Sequence, residues 1–181
     1  MATPLTGARG QHETPTLQRL RSLLHYDPDT GRWTWVVDRG GTARTGKEAG
    51  YIHSSSDTQN QRRVLKIDGV FYRASRLAWF YMTGQWPKNL IDHKNGDTLD
   101  DRWENLRQAT RSQTAASRKR SRNNAAGFKG VFKRRDRNGY WVRIQVNGKR
   151  ITRGSFQSRE AASEAYKTLA IKHYAEFARW D

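Results

Sequence analysis

An aspartate and a histidine stand side by side in the stretch NLIDHKNGDTLDDRWENL, where Asp92 and His93 follow two apolar residues. A carboxylate can bind a divalent cation, and a neutral imidazole can accept a proton from water near pH 7. Together they could hydrolyse a phosphodiester, with His93 activating water and an ion on Asp92 stabilising the leaving oxygen. The alternative is a turn-rich polar connection on the surface, because an adjacent Asp-His pair is common by itself.

The elements around this pair must fix its direction. Leu90-Ile91 predicts a strand ending at His93, and neighbouring side chains on a strand point to opposite faces. Residues 94–97 (KNGD) supply the bend that the pair needs to act in one place. The sequence TRSQ at 110–113 matches a capping box and predicts a helix running toward Arg118. Three aspartates lie between these elements: Asp97, Asp100 and Asp101. They are interpreted as part of a solvated loop with Asx-turns rather than as further metal ligands.

Upstream, the clearest local signal is a hairpin over residues 62–73. Two β-prone runs flank Asp68-Gly69, the pair that a type I′ turn requires. A helix is predicted over 74–84, ending at Gly84. Thr14, followed by a proline, is predicted to cap an N-terminal helix.

Composition indicates a polyanionic partner. The formal net charge is +17. Residues 1–117 hold 17 Lys/Arg against 12 Asp/Glu, whereas residues 118–181 hold 17 against only 5. Such a field attracts nucleic acid. The chain contains no cysteine, which excludes disulfide partners and zinc-cysteine sites and favours a hard ion on oxygen ligands. No apolar run approaches the length of a membrane helix, so we expect a cytoplasmic protein.

The C-terminal third has a different sequence pattern. Three strand-like runs between Gly127 and Phe156 precede a helix capped by Ser158, and the basic stretch 117–127 leads into them. Strand alternation predicts one apolar face under the helix and one exposed face carrying Trp141 and Arg143. Such a face can enter the major groove of double-stranded DNA; the alternative is an ordinary half-solvated sheet. Predicted DNA contacts are Lys129, Lys133, Trp141, Arg143, Gln145, Arg150 and Thr152 on the sheet, and Arg118, Lys119 and Arg120 on the linker.

Residues 60–118 resemble the HNH endonucleases encoded by phages and introns, through RLAWFYMTGQWPKNLIDHKNGDTLDDRWENLRQAT. The resemblance implies a ββα-metal (His-Me finger) fold using Mg2+ or Mn2+. It implies that Asp92 is a metal ligand, His93 the general base, and Asn105 the residue that braces the loop and orients His93. Thr114 occupies the place of the family's second metal ligand, where an asparagine is usual. Ser75 replaces a family histidine.

Residues 127–181 resemble an AP2 domain, through GFKGVFKRR, GYWVRIQV and GSFQSREAASEAY. Such domains lay a three-stranded antiparallel sheet, packed on one helix, into the major groove. The resemblance agrees with the exposed face deduced from alternation.

We therefore expect an α+β protein with a tail at 1–15, an HNH module at 16–118, a basic linker at 119–126 and an AP2-like domain at 127–181. The expected function is metal-dependent cleavage of double-stranded DNA by a monomer in the host-cell cytoplasm, in a homing or packaging role. The alternative is a sequence-specific DNA-binding protein whose HNH fold is degenerate, because Ser75 and Thr114 depart from the pattern.

Overall fold

The structure is a computed structural model that describes residues 14–54, 61–121, 124–135 and 138–180. Most of the predicted tail, residues 1–13, lies outside the described residues. The chain divides into two compact units between Gln108 and Ala109. Among the described residues, no helix combines the length and apolarity needed to cross a membrane.

The first unit mixes short helices with small β-sheets. Strands β1 and β2 pair with each other, β3, β4 and β5 form a three-stranded sheet in that order, and β6 pairs with β7. The elements, in chain order, are α1 (Leu17–Leu23), β1 (Leu24–Tyr26), β2 (Trp33–Trp35), β3 (Tyr51–His53), β4 (Arg62–Ile67), β5 (Val70–Arg73), α2 (Ala74–Thr83), β6 (Leu90–His93), a 3-10 turn (Trp103–Asn105) and β7 (Leu106–Ala109).

Short local sequence patterns predicted several of these elements. The predicted hairpin turn is confirmed, since Ile67 pairs with Val70 and Asp68 has a φ of 46°. Helix α2 ends at Gly84, whose φ of 71° is left-handed as expected. The predicted cap at Thr14 is wrong. Thr16 accepts the hydrogen bond from the Arg19 amide at 3.1 Å, because it supplies the same hydroxyl immediately before the apolar repeat.

The core of the first unit joins the β1–β2 hairpin to α2. Tyr26 and Trp33 are fully buried with ring centroids 4.9 Å apart. The Tyr81 ring of α2 meets the Trp33 ring edge-on at 5.6 Å. Leu77 and Ala78 of the same helix are also fully buried. Burial of such large aromatic surfaces stabilises the hairpin against the helix that leads into β6.

The second unit packs a three-stranded antiparallel sheet, in the order β10-β9-β8, against one long helix. Val142 and Ile144 face the helix stripe formed by Ala162, Tyr166, Ala170 and Tyr174. The elements are α3 (Arg111–Ser117), β8 (Val131–Lys133), β9 (Tyr140–Val146), β10 (Lys149–Phe156), α4 (Arg159–Tyr174) and a 3-10 turn (Ala175–Phe177). The predicted three strands and one helix are thus found, while the relation to AP2 domains stays a prediction.

Candidate active site

The Asp-His pair lies at the end of β6, and both side chains are buried. Asp92 is 7% exposed and His93 is 9% exposed. The pair is therefore not surface decoration, because ionisable side chains are rarely buried without partners. Each of the two has its own partner, and the partners come from different parts of the loop and strand that follow.

His93 is held by a buried aspartate. Its Nε2 lies 3.0 Å from Asp101 Oδ1, and Asp101 is only 3% exposed. Burial raises the pKa of the Asp101 carboxyl above its usual value, and the hydrogen bond with His93 opposes that rise. The interpretation of Asp101 as part of a solvated loop is wrong. The chain turns inward after Asp100 and delivers this carboxylate to the imidazole.

Asn105 braces the loop between β6 and β7. Its Oδ1 accepts the Asn95 amide at 3.0 Å, and its Nδ2 donates to the Asp100 carbonyl at 2.7 Å and to Asn95 Oδ1 at 3.1 Å. The Asn105 carbonyl also accepts the Lys94 amide at 2.9 Å. Asn105 therefore has the bracing geometry that the family resemblance implies. Direct contact with the His93 ring comes from Asp101 instead.

The outer side of this loop is fixed by Asp100. Its carboxylate accepts hydrogen bonds from Arg102 Nε and Nη2, both at 2.8 Å, and from Asn95 Nδ2 at 2.7 Å. The guanidinium of Arg102 lowers the pKa of Asp100 to about 2. Asp100 and Asp101 are neighbours with opposite roles, since one points to a surface arginine and the other to the buried histidine.

Asp92 pairs with an arginine that sequence reasoning missed. Arg107 Nε and Nη2 both lie 3.0 Å from Asp92 Oδ2, and both side chains are largely buried. Pairing of β6 with β7 in a two-stranded sheet brings the two residues together. The signal was present in the sequence, because a basic residue follows Asn105 by two positions on the strand that must return beside β6.

Thr114 lies on α3, in the second compact unit. The predicted capping box is confirmed, with Gln113 N donating to Thr110 Oγ1 at 3.2 Å and Thr110 N donating to Gln113 Oε1 at 2.8 Å. Thr114 Oγ1 is buried without a hydrogen-bond partner among the described residues. Ser75, which the resemblance places where the family has a histidine, is buried at 8% exposure within α2 of the first unit.

The residues available for a cation are oxygen donors. Within the described ranges, no cluster of three or more His, Asp or Glu side chains could hold a metal ion. Mg2+ does not require one, since it keeps several waters and takes one or two carboxylates plus substrate phosphates. The buried Asp92 carboxylate of the first unit is of the donor type that such an ion prefers. The donor chemistry therefore fits a hard divalent ion.

A separate candidate surface lies on the exposed face of the second-unit sheet. Register pairs Gln145 with Arg150 and Arg143 with Thr152, so these four share one face, as predicted. Trp141 lies on that face and stacks on Phe132, with ring centroids 4.7 Å apart. The Arg143 guanidinium lies 4.6 Å from the centre of the Phe132 ring.

The strand positions predicted for Lys133 and Lys129 are wrong, although both residues line the groove beside this face and their role as DNA contacts stays a prediction. Lys133 pairs with Tyr140, which puts it on the opposite side of the sheet from Trp141. Lys129 lies before β8, and its ammonium donates to the Arg118 carbonyl at 2.6 Å and to the Ala116 carbonyl. The predicted strand run FKGVFKR begins at Phe128, three residues before the observed start of β8, and the prediction assigned the wrong parity. Phe132 takes the place expected for these lysines.

The sheet face forms one side of a groove of about 1410 Å³ within the second unit. Arg118 and Lys119 line it together with Trp141, Arg143 and Arg150. Lys119 and Arg120 are exposed in the segment after α3. The arrangement is a concave, basic surface with aromatic rings at its base, which is the composition expected of a nucleic-acid interface.

Comparison with known proteins agrees with the geometry of the first site. Residues 72–116 match the HNH endonuclease family, so the chain contains an HNH endonuclease domain at that position. The chain is also 30% identical, over 114 residues, to Protein 3.8 of Escherichia phage T7. The alignment covers 61% of this chain and 93% of the phage protein. The chain therefore belongs to the same protein family as Protein 3.8. No solved structure matches it significantly.

Proposed function

We propose that this chain is a metal-dependent DNA endonuclease that hydrolyses phosphodiester bonds. The observation that carries the proposal is the buried Asp92-His93 pair, with the imidazole held by a second buried carboxylate at 3.0 Å. A nucleic-acid-binding protein has no need of a buried imidazole hydrogen bonded to a buried carboxylate. A hydrolase needs one to orient a base.

In this mechanism His93 accepts the proton of the water that attacks the phosphorus, and the P–O bond to the leaving oxygen then breaks. Asp101 keeps the ring in position, and Asn105 keeps the loop that carries Asp101 closed. Asp92 and Thr114 are the proposed ligands of Mg2+ or Mn2+. When bound, such an ion stabilises charge on the phosphate and on the leaving oxygen.

We further propose that the second unit is an AP2-like module that selects the site on double-stranded DNA. Support comes from the shared exposed face of Trp141, Arg143 and Arg150 and from the charge excess over residues 118–181. Arginine on a sheet can pair with guanine in the major groove. The phage relative makes the cytoplasm of an infected cell the proposed place of action, with homing or packaging as the proposed role and a monomer as the proposed form.

The test is a supercoiled-plasmid assay with Mg2+ or Mn2+, in which wild type is compared with His93→Ala and Asp92→Ala. The proposal predicts metal-dependent nicking or linearisation by the wild type and a loss of at least about 10²-fold in rate in each variant. A control variant, His25→Ala, changes an exposed histidine of β1 and should cleave as the wild type does. Equal cleavage by all four proteins would refute the proposal.

The second candidate function is DNA binding without cleavage, and one observation favours it. The Arg107 guanidinium already neutralises the Asp92 carboxylate, so the buried carboxylate does not require a cation for its stability. Under this alternative, DNA is bound with the same affinity in EDTA and in Mg2+, and no strand is cut. Binding and cleavage measured on one protein preparation separate the two functions.

A further inference from the structure

The loop segment that carries Asp101 is held from the N-terminal side of the chain. Tyr26 Oη donates a hydrogen bond to the Asp101 carbonyl at 2.6 Å. The Trp103 amide donates to the Pro28 carbonyl at 2.9 Å. Both partners belong to the β1–β2 hairpin, which lies outside the residues that match the HNH family.

A third contact depends on a glycine. A Cβ at Gly31 would lie 2.6 Å from both the Arg102 nitrogen and the Asp101 carbonyl carbon, well inside van der Waals distance. The φ of Gly31 is +72°, which is also unfavourable for other residues. The hairpin turn can therefore approach the backbone of Asp101 closely only because this position has no side chain.

The turn is itself well ordered by short-range hydrogen bonds. Asp27 accepts from the Asp29 amide at 3.0 Å and from the Thr30 hydroxyl at 2.7 Å, while its carbonyl accepts the Gly31 amide at 2.8 Å. Burial raises the pKa of the Tyr26 hydroxyl, which therefore remains a donor at neutral pH. A rigid turn and a fully buried tyrosine together define where the Asp101 backbone must lie.

We propose that the β1–β2 turn positions Asp101, and that Asp101 fixes His93 in the tautomer with its proton on Nε2. In its ionised form the Asp101 carboxylate only accepts hydrogen bonds, so the His93 Nε2 atom at 3.0 Å is then the donor. Nδ1 then keeps its lone pair. Across the residues that the structure describes, Nε2 is the ring nitrogen with a hydrogen-bond partner, which leaves Nδ1 to receive a proton. Asp101 and Tyr26 are positioning residues.

The catalytic consequence rests on the proposed nuclease function, but the tautomer of His93 does not. The tautomer is measured by two-dimensional 15N–1H correlation of the imidazole nitrogens in the full-length protein labelled with 15N-histidine. The measurement is made at about pH 8.5, where an imidazole is ordinarily neutral. The chain has five histidines. The His93 signals are identified as those missing from the His93→Gln variant.

The expected result is the Nε2–H tautomer for His93 in the wild type. Asp101→Ala should give a mixture of tautomers, and Asp101→Asn should favour Nδ1–H, because a carboxamide can donate to Nε2. Tyr26→Phe removes the hydroxyl that donates to the Asp101 carbonyl and should shift His93 toward a mixture of the two tautomers. Tyr51→Phe removes a hydroxyl from an exposed tyrosine of the same unit and should change nothing.

A wild-type His93 in the Nδ1–H form, or a tautomer that Asp101→Ala does not alter, would overturn the inference. If Asp101→Ala fails to fold, Tyr26→Phe decides, since it preserves ring packing. The cleavage arm is separate: Asp101→Asn should lower kcat by up to about 10⁴-fold with KM unchanged, as a wrong tautomer does in other hydrolases. A wild type that does not cleave refutes the nuclease function alone, while unchanged kcat in Asp101→Asn overturns the positioning role.

Discussion

Replacing Gly31 by alanine tests how closely the N-terminal hairpin supports the site. The new methyl carbon would meet the Asp101–Arg102 backbone at 2.6 Å. Gly46 provides a matched control, because its φ of +76° is nearly the same as the +72° of Gly31 and a Cβ there meets nothing within 4 Å. Both substitutions carry the left-handed conformational cost, about 1 kcal/mol. Only Gly31→Ala adds overpacking against backbone, which costs about 1–3 kcal/mol.

The free energy of unfolding should therefore fall by about 1 kcal/mol in Gly46→Ala and about 2–4 kcal/mol in Gly31→Ala. For a domain of this size, each kcal/mol corresponds to roughly 4–8 °C in Tm. Tryptophan fluorescence reports mainly on the first unit, which holds Trp33, Trp35, Trp79, Trp86 and Trp103 of the seven tryptophans. Urea unfolding followed by this signal measures the difference. Equal losses in the two variants would refute the close approach of turn and loop.

Three further changes have definite expected outcomes. Arg107→Met leaves a buried aspartate carboxylate without its cation and should lower the free energy of unfolding by about 3–5 kcal/mol in EDTA, as measured by urea titration. Arg102→Gln removes the partner that lowers the pKa of Asp100 to about 2. Stability from this pair is present above about pH 4 and is lost as pH falls toward 2, so acid unfolding of the variant should depend less on pH in that window. Arg150→Ala on the sheet face should reduce the salt dependence of DNA binding by about one unit of slope, whereas Lys172→Ala on α4 should not.

Each of these outcomes has a clear opposite. A stable Arg107→Met protein in EDTA would show that the Asp92 carboxylate is neutralised by another group. An unchanged acid transition in the Arg102→Gln variant would remove Asp100 from the groups that link stability to pH. Equal salt slopes for the Arg150→Ala and Lys172→Ala variants would mean that the sheet face does not contact phosphates.

Much of the scaffold was predictable because its signals are local. The Asp68-Gly69 turn and the capping box at Thr110 each depend on a few adjacent residues, and both are found as predicted. The strand that ends at His93 was also predicted, from the apolar residues before the Asp-His pair. Alternation also placed Arg143 and Arg150 on one face correctly.

The partners of the site residues were not predictable because they depend on long-range packing. Asp101 looked like one of several loop acids, and its carbonyl accepts a hydrogen bond from Tyr26, a residue 75 positions away in the chain. Predicting Arg107 as the partner of Asp92 required the register of β6 with β7. The error at Lys133 arose from one residue of strand parity, which reverses the face of every side chain.

The measurement that tests the central claim most directly is rescue of the His93→Ala variant by free imidazole in a plasmid-nicking assay. If His93 is the base that deprotonates water, the wild type nicks DNA with Mg2+ or Mn2+, the variant loses about 10²–10⁴-fold in rate, and added imidazole restores part of that loss. The matched Asp92→Ala variant should gain nothing from imidazole. A His93→Ala protein that nicks at the wild-type rate would contradict the account.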